Sequence, residues 1–114
     1  MKIITRTREE VVRRWVAALR CGNYTQARNF LRNNTGGFCC LGVLCDLAAR
    51  DGGPQWVNES HYLGGNVNLP SVISEFVTGY RGNHADRCVI HFAKRNDAGD
   101  TFAELADIIE KDLL

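Results

Sequence analysis

Hydrophobic positions divide the chain into four stretches with helical period and one that alternates. Val11, Trp15 and Leu19, with Val12, Val16 and Ala18 beside them, form the first stripe. Thr7 followed by Glu10 has the spacing of a capping box, in which each side chain bonds the other residue's backbone N–H. The pattern predicts a helix from about Arg8 to Cys21, closed by Gly22, because glycine accepts the left-handed conformation that ends many helices. From Phe38 to Arg50 the sequence is apolar nearly all round. Cys39, Val43 and Leu47 make one helical row and Cys40, Leu44 and Ala48 the next, the pattern of a buried helix.

Between these two, "NYTQARNFLRNNTGG" ends in turn formers and predicts a loop at Asn33 to Gly37. "RDGGP" breaks the second helix, and Gln55 to Leu69 reads as an exposed irregular stretch with a short strand around Tyr62. Pro70 suits the first turn of a third helix, whose stripe of Val72, Ile73, Phe76 and Val77 runs to Gly79. "YRGNHAD" reads as a loop. In "RCVIHFAKR", Arg87 to Arg95, Cys88, Ile90 and Phe92 alternate with other residues, which favours a strand. Thr101 and Glu104 form a second capping-box pair ahead of Phe102, Leu105, Ala106, Ile109 and Leu113, so the chain ends in a helix of about 13 residues. The expected class is α+β: one mainly helical domain over residues 1–114, with about four helices and a small β-sheet.

Composition narrows the setting. The chain has 114 residues, 45% hydrophobic and 24% charged, as soluble domains have, and no apolar run approaches the ~20 residues of a membrane span. The opening "MKIITRTREE" lacks the apolar run of a secretory signal, so a cytoplasmic location is expected. A net charge of +1 argues against nonspecific nucleic-acid binding. Arg6, Arg8, Arg13, Arg14 and Arg20 are diluted by Glu9 and Glu10 and read as a solvated helix face.

The cysteines raise the sharpest chemical question, since three of five fall between Cys39 and Cys45. An odd count in a reducing compartment argues for free thiols. On a helix, Cys40 and Cys45 lie about 140° apart at ~100° per residue, so they do not converge on one ion unless His84, Cys88 or His91 joins them. Neither a metal nor another cofactor is expected. Cys39 or Cys40 at a helix N-terminus, where the dipole lowers a thiol pKa, with His91 and then Asn96 or Asp97, has the chain order of a cysteine hydrolase. The alternative is that these thiols line the core. Asn96, Asp97, Gly99 and Asp100 resemble part of a calcium loop without its 12-residue spacing, and read equally as a turn whose side chains bond local backbone, or as polar groups lining a pocket.

Trp15, Ala18, Leu19, Gly22, Tyr24 and Gln26 at the start, "CCLGVLCDLA" in the centre, Leu69 and Pro70, and a closing "NDAGDTFAELADIIE" together resemble a family of small uncharacterised bacteriophage and prophage proteins. The resemblance implies a phage accessory protein in the host cytosol. Such proteins often act by binding, and the expectation is a non-catalytic protein that takes a host protein or a nucleotide-like small ligand and counteracts host defence. The expected ligand-binding residues are Tyr24, Gln26, Cys40, Arg95, Asn96 and Asp97, with Arg95 for an anionic group. The alternative is a cysteine-dependent hydrolase using Cys39 or Cys40 with His91. A host-protein inhibitor would present the surface of Gln55 to Leu69.

Overall fold

The computed structural model describes residues 7–53, 55–58, 62 and 69–114. Five helices appear in order: α1 Arg8–Arg20, α2 Cys40–Arg50, α3 Ser71–Thr78, α4 Gly82–Ala98 and α5 Phe102–Leu113. Both capping boxes form, with Thr7 and Glu10 opening α1 and Thr101 and Glu104 opening α5. Gly79 ends α3 and Gly99 ends α4 in the left-handed conformation. None of these helices is long and apolar enough to cross a membrane.

The expected α+β class is corrected: the described residues are mainly helical and contain no sheet. Extended pairing among them is limited to single-residue bridges, such as those of Phe38 with Gln26 and Arg32. The strand expected over Arg87–Arg95 and the loop expected at "YRGNHAD" are both corrected by α4. Its buried stripe is Ala85, Val89, Phe92 and Asn96, a helical spacing that ends on a polar residue and so is hard to see as apolar periodicity. Its start is equally concealed, because Arg81 provides no side-chain cap; instead the Gly82 N–H, at φ +55°, donates to Glu75 Oε2 at 2.7 Å. The expected short strand around Tyr62 lies largely outside the described residues.

Buried side chains from all five helices join in one cluster around α2. Every residue of α2 from Cys40 to Asp46 is buried, with Ala48 and Ala49. The Trp15 ring meets Phe92 edge-on at 6.2 Å, and its indole N–H donates to the Cys40 carbonyl at 2.8 Å. Along the outside, Arg20 bonds Asp107 and Glu110, and Arg8 donates to the Leu113 carbonyl at 2.7 Å, which ties α1 to α5.

Residues 21–39 are held by backbone bonds rather than by a regular element. Phe38 N–H donates to Thr25 and its carbonyl accepts from Ala27, while Cys39 N–H donates to Leu31. Asn33 Oδ1 accepts from Thr35 N–H and from Gly37 N–H at 2.7 Å, which closes the expected Asn33–Gly37 loop as an Asx turn. The segment crosses α2 so closely that a Cβ on Gly42 would lie 1.6 Å from the Leu31 carbonyl oxygen. Glycine is required there by contact.

Alanine in a helix interior ordinarily gains about 1 kcal/mol over glycine. Gly42→Ala is expected to reverse that sign and lose ~3 kcal/mol or more, because the clash is with backbone. Gly22→Ala, strained in φ at +79° but open in space, is expected to lose only about 1 kcal/mol. Urea unfolding of the two variants measures the difference.

Candidate ligand-binding cleft

The Asn96 side chain, fully buried at the last turn of α4, is the centre of a hydrogen-bonded node. Its Nδ2 donates to the Ala27 carbonyl at 2.8 Å, and its Oδ1 accepts from Gln26 Nε2 at 2.9 Å and from Cys40 N–H at 3.3 Å. Gln26 Nε2 also donates to the Asp100 carbonyl at 2.7 Å, and Arg95 Nε donates to Asp100 Oδ2 at 2.6 Å. Asp97 Oδ1 accepts from the N–H of Asn29, whose φ is +74°. Of the six residues expected to bind a ligand, Gln26, Cys40, Arg95, Asn96 and Asp97 thus come together. Cys40 enters through its backbone N–H, and the polar atoms of Gln26 and Asn96 are taken up by protein partners. The node docks the 21–39 segment and α4 onto the first turn of α2, where free N–H groups need acceptors.

Tyr24, the sixth, belongs to a second network. Its hydroxyl donates to Asp46 Oδ2 at 2.7 Å, beside Arg50 Nε at 2.8 Å, while Trp56 Nε1 donates to Oδ1 at 3.2 Å. Burial pushes the Asp46 carboxyl up, but these three bonds together outweigh it and the net shift is downward. Burial, and then the bond to Asp46, raises the Tyr24 phenol. The rings continue from Tyr24 to Phe38, edge-on at 5.1 Å, then to Trp56 at 6.2 Å, with the Arg32 guanidinium 4.3 Å over the indole.

Beside this network lies an open cleft of about 370 Å³, lined by Arg14, Ala18, Cys21, Asn23, Tyr24, Phe38, Leu47 and Arg50. Arg14 is ion-paired with Asp51, and Arg50 with Asp46. Among the described residues each pair uses one guanidinium nitrogen, Arg14 Nη1 and Arg50 Nε, which leaves other N–H donors on each to face a ligand. In sequence, Arg14 reads as part of a solvated helix face, and no ligand-binding role attaches to Asp46, Arg50 or Trp56. The signal that points to them is a single acid, Asp46, within a helix otherwise buried all round.

Cys39 caps α2 by accepting the Gly42 N–H at 3.4 Å, and Cys39, Cys40 and Cys45 are all buried. Burial pushes the Cys39 thiol up to about 11, against opposing bonds from the Gly42 and Leu41 backbone, and pushes Cys40 and Cys45 well above the ordinary value. His91 is exposed on α4, about 140° round the helix from Asn96 at ~100° per residue, so α4 turns its ring away from both thiols. Among the described residues no three His, Cys, Asp or Glu side chains cluster closely enough to hold a metal ion.

Asn96→Ala removes the side-chain partner of the Ala27 carbonyl and of the Cys40 N–H and one of the two acceptors of Gln26 Nε2, and is expected to lose about 2–4 kcal/mol. In a double-mutant cycle, Gln26→Ala adds less to that variant than to the parent chain, as urea unfolding reads out. The raised thiols set a pH dependence. Their contribution to stability is fully present below the ordinary thiol value of about 9 and is lost as pH rises toward the folded values. The denaturation midpoint should therefore hold from pH 7 to about pH 8.5 and fall by about pH 10.5. At neutral pH iodoacetamide should label exposed Cys21 in the native protein and reach Cys39, Cys40 and Cys45 only in denaturant.

No curated protein and no solved structure matches the chain. A family model, the domain of unknown function DUF8296, matches residues 7–113. That span takes in all five helices, the Asn96 node and the cleft, and the chain belongs to the DUF8296 family.

Proposed function

We propose that the protein is a non-catalytic, phage-encoded accessory protein that binds a small nucleotide-like anion in the cleft between α1, α2 and the Tyr24–Phe38 segment. By holding such a ligand it withholds a nucleotide signal from a host antiviral defence. One observation carries this reading: two guanidinium groups, Arg14 and Arg50, share a cleft of about 370 Å³ with the rings of Tyr24 and Phe38. A volume of that size suits a small ligand. Guanidinium forks recognise phosphate in pairs of bonds, and aromatic rings suit a planar base.

The preformed ion pairs add to this. Asp46 and Asp51 hold Arg50 and Arg14 in place before any ligand arrives, so less side-chain freedom is lost on binding. The phage setting rests on the resemblance in sequence. The absence of turnover rests on chemistry: the Cys39 and Cys40 thiols, the candidate nucleophiles, carry raised pKa values, which withholds their thiolates at neutral pH.

Thermal-shift screening against cyclic mononucleotides and dinucleotides tests the proposal. A ligand at 100 times its Kd should stabilise the fold by about 2.7 kcal/mol and be recovered intact after denaturation. Arg50→Gln, which removes the charge and keeps an N–H donor for Asp46, should abolish the shift, with unchanged helical circular dichroism showing that the variant is folded. Absence of a shift with every nucleotide would refute the reading, and so would recovery of a cleaved ligand.

A further inference from the structure

The outward face of α4 has a composition unlike the chain's overall balance. Its exposed positions are Gly82, Asn83, His84, Arg87, His91, Lys94, Arg95 and Ala98, with no acid among them. His84, Arg87, His91 and Lys94 fall within an arc of about 80° at ~100° per residue, and span about 15 Å at ~1.5 Å per residue. Arg81 is exposed just before the helix. Arg95 is paired with Asp100, but Arg81, Arg87 and Lys94 have no carboxylate partner among the described residues.

Two acids meet the ends of α4, Glu75 accepting from the Gly82 N–H beside Arg81 and Asp100 pairing with Arg95, and the other acids near the helix lie off the row. Asp86 is directed to Ser71, Asp97 accepts from Asn29, and Asp112 of α5 acts on Cys88, on the opposite flank. One end of the cationic row also carries a flat aromatic surface. The Tyr80 ring stacks on His84 with centroids 3.9 Å apart and planes 8° from parallel, and Tyr80 is 46% exposed.

We infer that this face of α4 binds single-stranded nucleic acid, with Arg81, Arg87 and Lys94 on successive phosphates and the Tyr80–His84 pair as a stacking platform for a base. A row of cations alone serves any polyanion. An exposed aromatic pair in line with the row is what distinguishes a strand of nucleic acid from an acidic peptide, because every base offers a ring face to stack. A 15 Å row is short and corresponds to the small end of the ~4–16 nucleotides that one single-strand-binding fold covers. The surface is separate from the Arg14–Arg50 cleft, so the inference does not depend on the proposed ligand there.

Fluorescence anisotropy with fluorescein-labelled 12-nucleotide oligo(U) and oligo(dT) in low salt tests it. Binding should weaken with salt along a log–log slope of about −2, the value for three phosphates at ~0.7 each. The double variant Arg87→Glu, Lys94→Glu should bind at least tenfold more weakly. Tyr80→Ala should bind about five- to tenfold more weakly with the slope unchanged. All three positions are exposed, and unchanged helical circular dichroism shows that the variants are folded. Failure to bind either oligonucleotide overturns the inference, as does binding that either variant leaves intact. Displacement of the probe by a polyglutamate peptide or anionic vesicles at matched charge also overturns it, because the face would then be a general polyanion surface.

Discussion

The close passage of Leu31 over Gly42 is the contact on which the rest of the structure depends. A helix buried on nearly every side has to be enclosed by other chain, and here part of that enclosure is a loop with backbone groups of its own to satisfy. The loop meets the requirement by giving the Leu31 carbonyl to Cys39 N–H, one residue before α2 begins. That bond draws the loop backbone against α2, and only a residue without Cβ fits beneath it. The first turn of α2 then presents N–H groups to the interior. Asn96 from α4 and the Cys39 thiol accept them, and Trp15 from α1 binds the Cys40 carbonyl. Three elements are therefore fixed against one helical turn by directional bonds, inside a core that apolar contact alone would leave free to slide.

The sequence disclosed this fold unevenly, for local reasons. The ends of α1 and α5 were legible because a capping box is a purely local signal: Thr7 with Glu10, and Thr101 with Glu104, settle their own geometry within four residues. Helix α4 was not legible, because its N-terminal donor is satisfied by Glu75 from the preceding helix and its buried stripe closes on Asn96. Both features depend on chain that is distant in sequence or on a polar residue counted as surface. Its apparent alternation at Cys88, Ile90 and Phe92 was a coincidence of composition, since Ile90 lies on the flank of the helix and Phe92 in its core.

The same distinction runs through the polar residues. Gln26, Asn96 and Asp97 stood out in sequence as groups with unusual bonding capacity, and the structure uses much of that capacity within the fold. Arg14 looked like an ordinary helix-surface cation, and Arg50 marked only the end of the second helix. What distinguishes them is a shared cleft with Tyr24 and Phe38, which exists only once the 21–39 segment has folded back across α1 and α2. A polar residue is conspicuous when its neighbours in sequence are apolar, whereas a binding surface is made by neighbours in space.

Net charge conceals this arrangement as well. A value of +1 arises from separated surfaces: α5 turns Glu104, Asp107 and Glu110 outward, and α4 turns Arg87, Lys94 and two histidines outward. Long-range steering depends on the sum of charges, but contact affinity depends on what lies within about one Debye length, ~10 Å at 0.1 M salt. A near-neutral protein of this kind attracts polyanions weakly from a distance and still offers them a cationic face on arrival. Helix α4 is well suited to carry such a face. Its inner stripe is anchored through Asn96 to α2 and the 21–39 segment, so the backbone that carries the outward row is already fixed and the freedom lost when a partner binds is that of the side chains.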